Sequence, residues 1–371
     1  MTTEYRVYLG GEPASDEALG RIRVLRVDQA IGMATEAELE MDLAIDDNGV
    51  WSGIDTDYAQ PFERVRIEVK PDRADAFVAL VDGPIVGQRF SLTEAAHGSR
   101  MTLVVHDDSV LLNREEGVEL YQDMSASDIA RRLFGDAGLT PEVDAVEGPA
   151  ADPDQVVVRR GTPMQLLRQL ARRHGMFVYV RPGGSTGSSV GHFRRPDLGD
   201  GGQAPLRVTG QGRNVGRFDC EFDGLRPTRA SARGITLADR SEQEGVSGQS
   251  GLDPLGARAS LDLVPAGQTL LAGTRAGDAD LEAVVTATVD VSSWAYSAAV
   301  ELDGDAYGEV LEPYRTITVA GAGGYLGGPW LISGVLHPLT AGSYLQQVSL
   351  RRNARSDVAG GGAAAAVAGV F

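Results

Sequence analysis

The sequence predicts a mainly β protein with an α+β insertion, in which two similar β units flank a small α/β module. Three observations carry this. Short runs with apolar residues on alternate positions recur through residues 1–115 and again from Leu206 to about residue 350, the mark of half-buried strands. Between them, Val118 to Val180 repeats one helix signature twice. The composition, 47 Gly among 371 residues with only 6% aromatic, suits short strands and tight turns better than a helical bundle.

In the first β unit, Tyr5 to Leu9 opens on Gly10-Gly11, and Ile22 to Val27 follows. Leu39, Met41, Leu43 and Ile45 then alternate through Ala37 to Ile45, ahead of a turn at Asp46-Asp-Asn-Gly49. Val65 to Val69 alternates again. Phe77 to Val81 is read as a strand closed by Asp82-Gly-Pro84, and Arg100 to Val105 as one ending at His106-Asp107-Asp108. Strands at this spacing with no amphipathic helix between them point to a barrel or a sandwich.

The two helix signatures lie 37 positions apart, Ser125 matching Thr162, Ile129 matching Leu166 and Gly138 matching Gly175. Ser125 and Thr162 are N-caps, whose side-chain oxygen accepts from a free N–H of the first turn. Gln165 completes a capping box and Asp128 is a shorter version of it. Pro163 occupies the first helical position, where its missing N–H costs nothing. Apolar pairs at i, i+1, i+4 and i+5 make one buried stripe, and the two glycines end the helices in the left-handed conformation. Val156 to Val158 and Met176 to Val180 supply short strands.

Gly183 to Gly191 and Pro196 to Gly202 read as a flexible Gly/Ser-rich crossing. The second β unit then takes Val215 to Phe222, Arg229 to Leu237, Val285 to Val291, Arg315 to Val319, Trp330 to Ile332 and Tyr344 to Leu350 as strands. Residues 241–257 are polar and glycine-rich and read as a mobile loop. The domains predicted are therefore 1–115, 116–200 and 201–352, the last with a loop insertion near 241–282. Residues 353–371 form a flexible Gly/Ala-rich tail.

A formal net charge of −18 repels phosphate backbones and argues against nucleic acid. The single cysteine, Cys220, leaves no disulfide framework within one chain, which fits a reducing compartment. It is read as a buried structural thiol on a strand. The first residues carry no apolar signal core, and no apolar run reaches the length of a membrane span.

Catalytic patterns are weak. Gly183-Gly-Ser185-Thr-Gly187 and Gly187-Ser-Ser189-Val-Gly191 both match G-x-S-x-G, but a nucleophile elbow needs a helix next, and His192-Phe-Arg-Arg-Pro196 is a poor helix start. Gly321-Ala-Gly-Gly324 is followed by Pro329 and a further strand, so it reads as a hairpin turn. The histidines His97, His106, His174, His192 and His337 show no i, i+4 metal spacing, and His106-Asp107-Asp108 is read as a strand-end turn. No cofactor and no metal are expected. One feature stands apart. From Gln155 to Pro196 there are eight arginines (Arg159, Arg160, Arg168, Arg172, Arg173, Arg181, Arg194, Arg195) and no Asp or Glu. This run is either a solvated helix face or a contact for an acidic neighbour, another copy or a separate protein.

Four stretches, spread over roughly residues 5 to 352, carry a resemblance. They are Leu80-Val-Asp-Gly-Pro-Ile85, Ser125 to Leu139, Val156 to Val180, and Gly328-Pro-Trp-Leu-Ile-Ser-Gly-Val-Leu-His337 with Tyr344 to Arg351. Their order resembles the late control protein D family, the hub proteins of contractile phage tails. The same unit forms the hub half of type VI spike proteins and of extracellular contractile injection systems. The family usually carries an aromatic residue before the Leu-Leu of the third stretch; here Met164 stands nearby instead. The resemblance implies two similar β-barrels per chain and a non-enzymatic homotrimer whose six barrels adapt a six-fold inner tube to a three-fold spike. It implies an inner tube protein, a separate spike or tip protein, baseplate wedge proteins and a LysM-type adaptor as partners. Assembly in the bacterial cytoplasm into a phage-tail-like particle goes with it. The Gly/Ala/Val tail ending at Phe371 is a further candidate contact, placed to order only in the assembly. Two alternatives remain open, the hub of a true contractile phage or tailocin, and a carbohydrate-active hydrolase on a β scaffold.

Overall fold

A computed structural model of the protein describes residues 3–45, 49–52, 54, 60–94, 98–146, 156–235, 242–247, 249–271, 278–340 and 342–357. The chain is mainly β, organised on one thirteen-stranded sheet. Its main path runs Arg217–Phe222, Tyr296–Asp303, Ser343–Arg352, Gly328–Thr340, Ile22–Ala30, Glu36–Asp42, Arg100–His106, Val78–Ser91, Arg64–Lys70, Glu4–Leu9 and Glu12–Pro13. Thr316–Ala320 joins beside Gly328–Thr340, and Leu206–Arg207 pairs parallel to it.

The two β regions are therefore neither separate nor closed by ladder pairing. They are one hydrogen-bonded path, joined where Gly334–Thr340 pairs antiparallel with Val24–Ala30. Each still has its own core. One gathers Leu25, Leu39, Ile67 and Leu103 and also takes Leu339 and Tyr344 from the C-terminal region. The other gathers Val300, Ile317, Trp330, Ile332 and Leu350. In the second unit Asn214, ahead of the strand Arg217–Phe222, holds the short strand Leu206–Arg207. Its side chain accepts from Arg207 N at 2.7 Å and donates to Pro205 O at 3.0 Å, while its backbone N–H donates to Arg207 O at 3.2 Å.

At the joint between the two regions His337 is fully buried. Its Nδ1 lies 2.9 Å from the Tyr344 hydroxyl and its Nε2 3.4 Å from Gln29 Oε1. Burial pushes its pKa down to about 3 from an ordinary value of 6.5. Between those limits the unfolded chain binds a proton that the folded one does not, so stability is complete above pH 6.5 and falls as pH drops toward 3. At pH 5 this group alone removes about 2 kcal/mol relative to neutral pH. Urea unfolding at pH 7.5 and pH 5 measures the loss, and His337→Gln is expected to shrink the difference by that amount. An unchanged difference would place the acid sensitivity elsewhere.

The α/β module forms as its signals require. Helix Ala126–Asp136 is capped by Ser125, which accepts from Asp128 N, and helix Pro163–Arg173 begins with a complete Thr162–Gln165 capping box. Gly138 and Gly175 end them with φ of 75° and 63°. The stripes Ile129, Ala130, Leu133, Phe134 and Leu166, Leu167, Leu170, Ala171 face one core with Val180 and Phe193. Gly117–Gln122 and Val156–Gly161 make a two-stranded ribbon, and Thr140–Val143, Ser189–Arg194 and Phe177–Pro182 a three-stranded sheet.

Four expectations are corrected. Asp82-Gly-Pro84 is not a stop, because Val78–Ser91 runs straight through it. Residues up to Pro84 pair with Arg64–Lys70 and those from Ile85 with Arg100–His106, so the strand changes partner there, at a bulge, where a proline is tolerated. A Cβ on Gly83 would sit 1.9 Å from His106 O, which is why glycine stands at the crossing. Val285 to Val291 is not a strand but lies in the helix Asp278–Ser293. Its period-two alternation coincides with a helical one: Leu281, Val285 and Val289, four apart, are buried, while Val291 is exposed. The stretch 241–257 contains a strand, Glu242–Ser247, antiparallel to Thr228–Ile235. Cys220 is on the expected strand but exposed rather than buried. Gly321 to Gly324 does connect an antiparallel pair, as expected. The turn at 46–48, His97 and the tail 358–371 with Phe371 lie outside the described residues.

Candidate functional site

The Gly/Ser stretch read as a flexible crossing is a latch between the first β unit and the module. Arg64 and Arg66 are two apart on one strand and so share a face. Their neighbour strand places Asp82 opposite Arg66. The Asp82 carboxylate is fully buried, 2.7 Å from Arg64 Nη1 and 3.0 Å from Arg66 Nη1. Arg64 also pairs with Asp108 at 2.9 Å, and Arg66 with Glu68 at 2.8 Å. The module closes over this cluster. Gly187 N donates to Asp82 at 2.9 Å, Ser189 Oγ to Asp108 at 2.8 Å, and Arg66 to Ser185 O at 3.2 Å. Burial works against both guanidiniums, yet the hydrogen bonds from their carboxylates leave each above its ordinary pKa. The serines of the two G-x-S-x-G matches are thus structural. Ser185 Oγ lies 3.2 Å from Ser188 Oγ and Ser189 bonds Asp108, with no histidine partner for either among the described residues.

Tyr314 joins all three parts. It has φ of 68°, stacks on Tyr179 of the module at 3.7 Å, and its hydroxyl accepts from Gly32 N of the first unit at 3.1 Å. Tyr179 in turn stacks on His192 at 4.5 Å. Burial, with Arg181 and Arg194 nearby, lowers the His192 pKa to about 4, so this ring is neutral near pH 7.

The arginine run is unopposed only along the chain. Folding brings acids to it from other segments. Arg159 meets Glu119 at 3.3 Å, Arg181 meets Glu312 at 3.7 Å, and Arg194 lies between Glu142 at 3.6 Å and Asp144 at 3.5 Å. Arg181 also donates to Pro313 O at 2.5 Å. Arg173, half-buried at the last turn of its helix, suits the negative end of the dipole. Arg160 and Arg172 are exposed and Arg168 half-buried, and none of the three has an acidic partner among the described residues. Arg195 is exposed, its backbone N–H bonded to Asp144. Arg159, Arg181 and Arg194 are therefore paired with acids within the chain.

A second clamp lies where the described chain ends. Arg352 is buried and donates to the carbonyls of Leu255 at 2.6 Å and Gly327 at 3.1 Å and to Ser356 Oγ at 2.5 Å, over the Trp330 ring at 5.6 Å. Burial lowers its pKa to about 10, with no ion pair to a carboxylate among the described residues. Sequence reasoning missed Asp82, Arg64, Arg66, Tyr314 and Arg352. Asp82 had a signal, an acid inside the apolar run Leu80 to Ile85, and Arg352 had none. Among the described residues no cluster of three His, Cys, Asp or Glu side chains could hold a metal ion, and His106 pairs with Glu36 at 2.9 Å. No helix among the described residues is long and apolar enough to cross a membrane.

No family model matches the chain, and no curated protein matches it by sequence. Solved structures do. The 43 kDa tail protein of prophage MuSo2 from Shewanella oneidensis superposes with a TM-score of 0.65 at 13% identity, over 95% of this chain and 99% of that one. A tail protein from Neisseria meningitidis MC58 gives 0.65 at 14% identity, over 95% and 97%. The Escherichia coli c3393 protein, a component of the type VI secretion system similar in structure to the T4 bacteriophage tail proteins gp27 and gp5, gives 0.54 at 10% identity, over 90% and 73%. The chain therefore has the fold of phage tail proteins and of the type VI components related to them. It carries that fold from one end of the tail proteins to the other.

Proposed function

We propose that the chain is a structural hub of a contractile phage-tail-like particle. It forms a homotrimer that adapts a six-fold inner tube to a three-fold spike. The observation that carries this reading is the full-length fold match to tail proteins, with two β cores on one continuous sheet. Three copies of a chain with two such cores present six β units around a three-fold axis, and the shared sheet holds each pair in fixed relation. The role is mechanical rather than catalytic. The polar clusters, Asp82 with its arginines and Arg352 with its carbonyls, are spent on joining parts of the fold. The inner tube, a separate tip protein, baseplate wedge proteins and a LysM-type adaptor are the partners this role calls for. Arg160, Arg168, Arg172 and Arg195 are the members of the arginine run left for protein contacts, and the tail ending at Phe371 is the proposed joint to the tip.

Native mass spectrometry of the purified chain is expected to give three copies. Imaging of particles assembled with a tagged chain is expected to place it between tube and spike. A chain absent from purified particles, or one that hydrolyses polysaccharide, would sink the proposal. Deleting residues 358–371 tests the joint: particles that keep their tip and fire normally would show that the tip seats on the β units.

A further inference from the structure

The ribbon Gly117–Gln122 with Val156–Gly161 is the least finished part of the surface. Among the described strands each pairs only with the other, so both outer edges are open. One face closes on the module core through Tyr121, with Glu119 and Arg159 paired beside it. The opposite face is aliphatic and exposed, with Val118 at 76%, Leu120 at 61%, Val156 at 39% and Val158 at 38%. Arg160, on that same face, is exposed and has no acidic partner among the described residues. Open edges with exposed apolar side chains are what strand addition covers.

The molecule has a second open edge of matching character. Arg217–Phe222 ends the large sheet and, among the described strands, pairs only with Tyr296–Asp303. Phe218 and Phe222 are half-exposed at the rim of the second core, Cys220 between them is exposed, and Leu225 beyond is 93% exposed. Asp223, just past the strand, is exposed and makes no ion pair among the described residues.

We propose that the strand Val156–Gly161 of one copy pairs with the strand Arg217–Phe222 of the next. In parallel register Val156, Val158 and Arg160 stand beside Phe218, Cys220 and Phe222, and Arg160 reaches Asp223. The two surfaces differ, so the contact is head-to-tail, and a three-fold rotation between copies closes it as a ring. This rests on the homotrimer proposed above and names the surface that builds it.

The single native cysteine supplies the test. Val158→Cys places a second thiol opposite Cys220 of the neighbouring copy. Oxidation with copper-phenanthroline is expected to give covalent trimers on denaturing gels. Val158→Cys with Cys220→Ser is expected to give none, and Leu92→Cys, on an exposed site outside both edges, no more than background. Leu120→Glu, also on an exposed site, is expected to leave the circular dichroism spectrum unchanged and to dissociate the trimer at concentrations where the wild type is intact. A trimer that does not cross-link through Val158→Cys, or that survives Leu120→Glu, overturns this contact while leaving the hub reading standing. A wild-type chain that stays monomeric at every accessible concentration overturns the contact as well, and absence from particles separately removes the hub.

Discussion

Asp82→Ala is expected to lose about 3–5 kcal/mol of stability, because removing one partner of a buried ionic cluster leaves the others uncompensated. The carboxylate is fully buried, and Arg64, Arg66 and the Gly187 N–H all converge on it. Arg64 keeps Asp108 and Arg66 keeps Glu68, so the arginines are not orphaned outright. What is lost is the group common to both and to the module turn at 183–189. Proteolysis is therefore expected to start at that turn, with chemical unfolding showing the module separating from the first β unit. Asp82→Asn keeps the shape and removes the charge, and is expected to fall between the wild type and Asp82→Ala. Unchanged unfolding in Asp82→Ala would mean that Asp108 and Glu68 suffice and that the latch is not held electrostatically.

Leu170→Asp and Leu133→Asp are each expected to unfold the α/β module, at a cost of several kcal/mol. Both side chains lie in the module core on the inner faces of the two helices, among aliphatic and aromatic neighbours. Leu170→Met conserves volume and is expected to cost less than about 1.5 kcal/mol. Circular dichroism and thermal melting separate the two outcomes. A soluble Leu170→Asp protein with an unchanged melt would show that this face is not core.

The sequence by itself determined what depends on neighbours along the chain. Ser125, Thr162, Pro163 and Gln165 act within one helical turn, so both helices begin where these residues place them. Alternation placed strands such as Glu36–Asp42, because a half-buried strand shows a period of two wherever it packs. Only tertiary structure decided what depends on partners distant in sequence. Val285, Ala287, Val289 and Val291 satisfy both a strand and a helix pattern, and the choice came from Leu281, Val285 and Val289 packing under Ala230 and Ala232. Asp82-Gly-Pro84 carries a turn signal, overridden because Arg66 pairs with Asp82 and Arg100–His106 takes up the strand beyond it. The arginine run looked unopposed because Glu119, Glu142, Asp144 and Glu312 lie outside it in sequence and reach it only on folding. Local chemistry sets the elements at a cost of a turn or two of chain. Charge pairing, edge exposure and the joining of two β regions into one sheet are long-range contacts, and their physical cause appears only once the chain has closed on itself.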